Sequence, residues 1–305
     1  MIFFPYRADV GFNRWPLFTF LVCVICIGVF VQQVWSEHEY RSSLMHFCNY
    51  GLSRNEKMLV NYLPTDDKSL CATLLRLRES KDRDGDMREL AEQSKSVPFY
   101  RKRSDSEDYI YTSLRDATRR LDREVPRNLT NDLSYDPSTL NVKRMVTAAF
   151  THADVFHLLF NLLFFFAFAA SLEVIAGHLL FAGFAIATAI GTHLAYAYSV
   201  RNAQDAIPTI GLSGVVMAMM AFLAVIAPTL RIRCFLWLLI IVRRIRVPAM
   251  LLVAFYVAEN IYDYSHATVD DHVNYIAHIS GAVFGAIAGV AYRFTHRAYL
   301  SEIVY

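Results

Sequence analysis

Cysteine is scarce in this chain, with five residues in 305, too few and too scattered for a disulfide scaffold, and the His/Cys spacings of zinc sites are missing. Redox chemistry, structural zinc and a metal or other cofactor are therefore not expected. Net charge is scarce too, because 30 basic residues against 28 acidic ones leave a formal +2. The charges of one long polar segment nearly cancel and the remaining arginines sit beside apolar runs, so nucleic acid is not an expected partner. The start of the chain lacks both the small-residue cleavage site of a removed signal and an Arg- and Ser-rich transit leader. An uncleaved anchor is expected there, and a mitochondrial location is not.

Apolar residues are abundant instead. Hydrophobic residues make up 55% of the chain and aromatics 14%, with a mean hydropathy of +0.29, more than a soluble core of this length needs. A lipid bilayer is the expected surrounding. The charge is segregated: 19 of the 28 acidic and 18 of the 30 basic residues lie between Ser36 and Val142.

Six runs approach the roughly 20 residues that a helix needs to cross a bilayer: Leu17 to Trp35, Phe150 to Ala176, His178 to Val200, Gly211 to Leu230, Val247 to Tyr264 and Ala277 to Phe294. The stretch Cys234 to Val242 is too short to span, which makes Arg231 to Arg246 an interfacial or re-entrant connection. The expected fold is an all-α polytopic membrane protein, a six-transmembrane-helix bundle with a long loop between helices 1 and 2. Its segments are residues 1–35 (N-terminus and first span), 36–142 (the loop), 143–294 (the helical core) and 295–305 (the tail).

Lysine and arginine gather on the cytoplasmic side of membrane proteins. Arg231, Arg233, Arg243, Arg244 and Arg246 follow span four, Arg297 follows span six, and Arg7 and Arg14 precede span one, whereas the loop Asp263 to Asp271 holds only acidic charges. Both termini are then cytoplasmic and the long loop is extracytoplasmic, with a bacterial inner membrane as the expected location. Within the loop, Leu70, Leu74 and Leu77, and then Ile110, Leu114, Ala117 and Leu121, recur at helical spacing. Cys48 and Cys71 share this oxidising-side segment and can pair or stand as two thiols, since their separation in space is not written in the sequence. Asn128-Leu129-Thr130 matches a glycosylation acceptor.

Ionisable or nucleophilic side chains at membrane depth are functional candidates. Gly211-Leu212-Ser213-Gly214 opens span four behind Pro208, which puts the Ser213 hydroxyl at a helix N-terminus where free backbone N–H groups can hold an oxyanion. Glycine and serine also serve plain helix packing, so this stretch alone is weak. His278 stands near the outer end of span six, followed by Gly281, Gly285 and Gly289 on one face. A small face at Gly214, Ala218 and Ala221 on span four lets the two helices approach, bringing a Ser213–His278 hydrogen bond within reach. His157 and Asn161, four apart at the head of span two, supply neutral donors for a tetrahedral oxyanion. His152 precedes them and is expected to bond loop backbone and shape access to the site. A metal on His152, His157 and His278 ranks below this, lacking HExxH-type spacing and a carboxylate in a ligand position.

Together these residues resemble the rhomboid family of intramembrane serine proteases. The matching stretches are His152-x4-His157-x3-Asn161, Gly211-Leu212-Ser213-Gly214, and Ala277-His278-Ile279-Ser280-Gly281 with Gly285, in the family's order between about Arg144 and Arg293. The resemblance implies a six-helix core with a Ser213–His278 dyad and an oxyanion hole of His157, Asn161 and the Ser213 N–H. Gly211 falls within the implied nucleophile motif. It implies membrane-anchored protein substrates cut in or near their transmembrane segment. Met217 stands where many members carry an aromatic residue under the catalytic histidine, and can still offer a sulfur contact to the ring. Lys143-Arg144 keeps only the arginine of a Trp-Arg pair. A rhomboid-like scaffold that binds or chaperones transmembrane segments without cutting them is the alternative, and retention of both Ser213 and His278 argues against it.

Overall fold

A computed structural model describes residues 2–8, 15–202, 206–238, 241–267, 273–298 and 300. Arg14, Asp270 and Asp271 of the orientation argument lie outside the described residues. In chain order the elements are β1 (Ile2–Ala8), α1 (Leu17–His46), α2 (Arg54–Met58), α3 (Leu70–Glu79), α4 (Arg83–Glu92), α5 (Arg103–Glu124) and α6 (Leu129–Leu133). Next come α7 (Val142–Ala149), α8 (Val155–Ala176), α9 (His178–Ser199), α10 (Ser213–Ile226), β2 (Arg231–Leu238), β3 (Ile241–Pro248), α11 (Ala249–His266) and α12 (Tyr275–Thr295). The chain divides into two units, Met1–Gln32 with Leu133–Tyr305, and Gln33–Asp132.

The described residues include four stretches long and apolar enough to cross a membrane: Leu17–Gly51, Val155–Ala176, His178–Ser199 and Tyr275–Thr295. The protein is an integral membrane protein. Cys23 and Cys26 lie in the first of these at a Cys-x-x-Cys spacing, and both are free thiols. The helix α10 has 14 residues, about 21 Å of rise, against a hydrocarbon core of roughly 30 Å. It tolerates this because it is buried on all sides by protein, which also explains a sequence apolar all round.

The glycines of α12 make its closest approach to α10. A Cβ at Gly281 would land on the Gly214 carbonyl oxygen, and one at Gly285 on that of Ala218. The third glycine departs from the expected pairing with Ala221: a Cβ at Gly289 would meet Val225 Cβ at 2.9 Å and the Phe222 carbonyl at 3.0 Å.

The segment Arg231 to Arg246, expected as an interfacial or re-entrant connection, forms two strands, and the fold is therefore not purely helical. A three-stranded antiparallel sheet runs in the order β1-β2-β3. Ile232 and Cys234 are buried between more exposed Arg231 and Arg233, the period-two alternation of a strand with one face on a core. The first unit also takes in residues 133–142, which the sequence assigned to the loop, because Tyr135 bridges to Thr209 and packs with Met145 and Ala148 of α7.

The second unit is built from α2 to α5, with the end of α1 and most of α6. Leu70, Leu74 and Leu77 of α3 and Ile110, Leu114, Ala117 and Leu121 of α5 are its buried stripes. Ser53 and Glu56 form a capping box on α2, and Ser69 and Asp82 cap α3 and α4. Cys48 and Cys71 form a disulfide, with Cα atoms 5.7 Å apart. The half-buried Asn128 donates its side-chain amide to Glu37, and its Oδ1 accepts from Thr130 N at 2.8 Å. The nitrogen that a glycan would need is thus engaged in folding.

Candidate active site

The N-terminus of α10 is held by a short irregular approach, Pro208 to Leu212. Thr209 exchanges backbone bonds with Tyr135 at 3.0 and 2.9 Å, and Gly211 N donates to Ala148 O at 2.8 Å. Gly211 has φ +115°, a conformation that side-chain-bearing residues rarely adopt, and a Cβ there would lie 2.9 Å from His157 Nε2. Glycine is therefore required twice over, for the turn that presents Ser213 and for room beside His157. Ser213 is the first residue of α10, so its N–H belongs to the group that has no partner within the helix.

The helix α12 starts on Asn274, whose Oδ1 accepts from Ala277 N at 3.0 Å while its Nδ2 donates to Thr209 Oγ1 at 3.0 Å. One side chain thus caps the helix carrying His278 and ties it to the loop carrying Ser213. His278 Nε2 lies 2.7 Å from Ser213 Oγ, and its Nδ1 lies 2.6 Å from Asn260 Oδ1 on α11. Tyr275, one turn before, stands edge-on to the His278 ring with centroids 6.4 Å apart and planes at 83°.

On α8, Asp154 is the N-cap, accepting from Phe156 N at 2.8 Å and His157 N at 2.9 Å. This fixes the first turn, and with it His157. The ring Nδ1 of His157 accepts from Ala153 N at 3.3 Å, which leaves the proton of the neutral ring on Nε2, the atom beside Gly211. Asn161 donates one amide hydrogen to His157 O at 3.0 Å and keeps the other.

Ser213, His278, His157, Asn161 and Asn260 line one cavity of about 630 Å³, with Gly211, Gly214 and Met217 also in its wall. An aromatic contact between Phe164 of α8 and Tyr256 of α11, 5.2 Å between centroids, forms part of the same wall. Gly281 and Gly285 are not at the cavity but at the α10–α12 contact. His152 is 1% exposed, hydrogen-bonds the loop backbone at Phe150 as expected of it, and packs edge-on against His157, 5.2 Å between ring centroids.

Four residues at this site were not singled out from the sequence: Asn260, Asn274, Asp154 and Tyr275. Asp154 and Asn274 carry a readable signal, since each directly precedes a helix as an N-cap should. Asn260 does so too, as a polar residue inside an apolar run. Tyr275 has only its i−3 position relative to His278.

The arrangement can do general-base chemistry at a serine, with fixed N–H donors beside it. No curated protein matches the chain. The family model described as the Rhomboid domain matches residues 140–294, a stretch that holds the cavity, both helices of the Ser213–His278 contact and the α8 donors. On that match, which takes in more than half of the sequence, the chain belongs to the rhomboid family.

Proposed function

We propose that this protein is an intramembrane serine endopeptidase that cuts membrane-anchored proteins within or near their transmembrane segment. The observation that carries the reading is the 2.7 Å contact between His278 Nε2 and Ser213 Oγ at the mouth of a helix N-terminus, inside a polar-ended cavity of an otherwise apolar bundle.

In this reading the substrate segment unwinds locally and presents a carbonyl carbon to Ser213 Oγ. His278 Nε2 takes the hydroxyl proton as the Oγ–C bond forms, and the carbonyl oxygen becomes an oxyanion. The Ser213 N–H, the His157 Nε2–H and the second amide hydrogen of Asn161 are the donors for it. His278 then returns its proton to the leaving amine. A water, deprotonated by the same nitrogen, releases the acyl group. Opening a substrate helix frees backbone groups that lipid cannot satisfy, so segments with glycine, proline or other helix-weakening residues are favoured.

The proposed topology has six spans, α1 and α8 to α12, in which α10 packs against α8, α9, α11 and α12, and α11 against α10 and α12. Both termini are cytoplasmic and the second unit lies outside the cytoplasm, in a bacterial inner membrane. Two features support it. The arginine-bearing strands β2 and β3 follow the C-terminal end of α10, opposite Ser213, as expected if the basic side is cytoplasmic. The Cys48–Cys71 disulfide suits an oxidising compartment.

The test is covalent labelling of the purified full-length protein by a fluorophosphonate, alongside cleavage of a transmembrane substrate in proteoliposomes. Wild type is expected to label and cut, and Ser213→Ala to do neither. An unlabelled wild type under conditions that label an active serine protease, or cleavage by Ser213→Ala, would overturn the reading and leave binding without cutting.

A further inference from the structure

Asn260 is a polar residue in the apolar helix α11, 9% exposed, where an unsatisfied amide is costly. Both ends of its side chain are engaged. Nδ2 donates to the Tyr256 carbonyl one turn back at 2.8 Å, which turns Oδ1 toward α12, and Oδ1 meets His278 Nδ1 at 2.6 Å. A carbonyl oxygen only accepts, so the hydrogen of that contact resides on Nδ1. A neutral imidazole has one N–H. Nε2 is therefore bare, at 2.7 Å from Ser213 Oγ, and able to accept the hydroxyl proton.

Resting on the reading of Ser213 and His278 as nucleophile and base, we infer that Asn260 is the positioning residue of the site, holding His278 in the Nδ1–H tautomer and in the ring orientation that aims Nε2 at Ser213. The proton balance is simple. The Ser213 O–H bond breaks, the Nε2–H bond forms, the Nδ1–H stays where it is, and Asn260 neither gains nor loses a proton. The amide carbonyl then faces the imidazolium produced by the transfer, an orientation that favours the charged ring without moving. Met217, in the same cavity wall, has only a thioether, a far weaker acceptor than the amide carbonyl of Asn260. Tyr275 meets the ring edge-on and constrains its tilt, leaving Asn260 to set which nitrogen carries hydrogen.

The experiment uses the full-length protein, labelled with ¹⁵N-histidine in detergent micelles, with the His278 signals identified by their loss in His278→Ala. Wild type is expected to show the Nδ1–H tautomer, and Asn260→Leu a mixture or the Nε2–H form. In proteoliposomes, Asn260→Leu is expected to lower kcat about 100-fold with KM within about twofold, and to slow fluorophosphonate labelling in parallel. Asn260→Asp, which keeps an acceptor at Nδ1, is expected to retain the tautomer and recover at least about a tenth of kcat. A merely structural bond between α11 and α12 would alter thermal stability without this tautomer change and rescue.

An Nε2–H tautomer in wild type, an unchanged tautomer in folded Asn260→Leu, or a folded Asn260→Asp as inactive as Asn260→Leu would overturn the inference. Should Asn260→Leu not fold, the wild-type tautomer and the Asn260→Asp result decide it. The tautomer is read without turnover. A wild type that neither labels nor cuts, yet loses its Nδ1–H form in Asn260→Leu, would remove the protease reading while upholding what Asn260 does to His278.

Discussion

The carboxylate of Glu173 on α8 accepts from both the backbone N–H and the hydroxyl of Thr19 on α1, at 2.8 and 2.7 Å. Its other oxygen accepts from Phe18 N at 2.9 Å and lies 2.6 Å from His178 Nδ1. A helix start has N–H groups without internal partners and the positive end of the dipole, so a carboxylate on a neighbouring span is a cap delivered through space. Glu173 and Thr19 are both fully buried. Removing the carboxylate leaves two backbone donors unsatisfied away from water. Glu173→Ala is expected to cost roughly 3 kcal/mol and Thr19→Val, which loses only the hydroxyl bond, about 1 kcal/mol. Equilibrium unfolding in mixed micelles checks the ranking, and equal effects from the two variants would show that Glu173 does not act as the cap.

The α10–α12 contact allows a graded test. A methyl group at Gly281 or Gly285 would collide with backbone carbonyl oxygens of α10, which cannot turn aside as a side chain can. Gly281→Ala and Gly285→Ala are expected to force the helices apart at a cost of roughly 1–3 kcal/mol or more. Because Ser213 and His278 ride on those two helices, activity is expected to fall further than stability. Gly289→Ala meets Val225 Cβ at 2.9 Å and should be milder. Gly183 on α9 has nothing within 4 Å of an added Cβ, and Gly183→Ala is expected to be neutral or to gain roughly 0.5 kcal/mol from helix propensity. Melting temperature and labelling rate across the four variants test the order.

The residues most legible in the sequence were those whose polarity clashes with an apolar run. Ser213, His157, Asn161 and His278 stood out in this way, and their spacing on helices carried the rest. Asn260 met the same criterion but had no motif around it, and its meaning lies in a contact with a ring 18 positions later. Glu173 was hidden for a related reason: its partners are backbone N–H groups some 154 positions away, which no side-chain pattern announces. The sheet was lost to averaging. Hydropathy over a span-length window blurs the alternation Arg231-Ile232-Arg233-Cys234, whereas period two reads it as a strand. The helix starts at Asp154 and Asn274 are legible as caps, and the first of them puts the start of span two at Val155 rather than Phe150.

The Cys48–Cys71 disulfide closes a loop with a sequence separation of 23 in the second unit. Chain entropy assigns such a closure roughly 3 kcal/mol. Both cysteines pack at the hydrophobic core with Leu70, Leu74 and Leu114, so replacing them with serine also places hydroxyls there. Cys48→Ala with Cys71→Ala is therefore the cleaner variant. It is expected to make residues 33–132 several-fold more susceptible to limited proteolysis, and a reducing agent should have the same effect on wild type. Resistance that is unchanged by either treatment would show that the core alone holds this unit.

The same unit should be acid-sensitive through Glu56. Burial pushes its carboxyl up, but this is outweighed by the Ser53 hydroxyl, the Ser53 N–H at 2.8 Å and the Arg120 guanidinium, so that the folded pKa is lowered from its ordinary value. A group with a depressed folded pKa stabilises fully above its unfolded pKa, about 4.3 for glutamate. That contribution is lost as pH falls through the folded value, because the protonated carboxyl can no longer pair with Arg120 while the unfolded chain binds its proton first. Wild type is expected to lose protection of residues 33–132 from an acid-active protease as pH is lowered from 5 toward 3, beyond the general loss seen in the rest of the unit. Glu56→Gln should be less protected than wild type at pH 6 and should show a shallower decline, with the two converging at the acid end. Parallel curves for the two proteins, offset equally at every pH, would mean that the Ser53–Glu56–Arg120 contacts hold the α2 turn by shape rather than by charge.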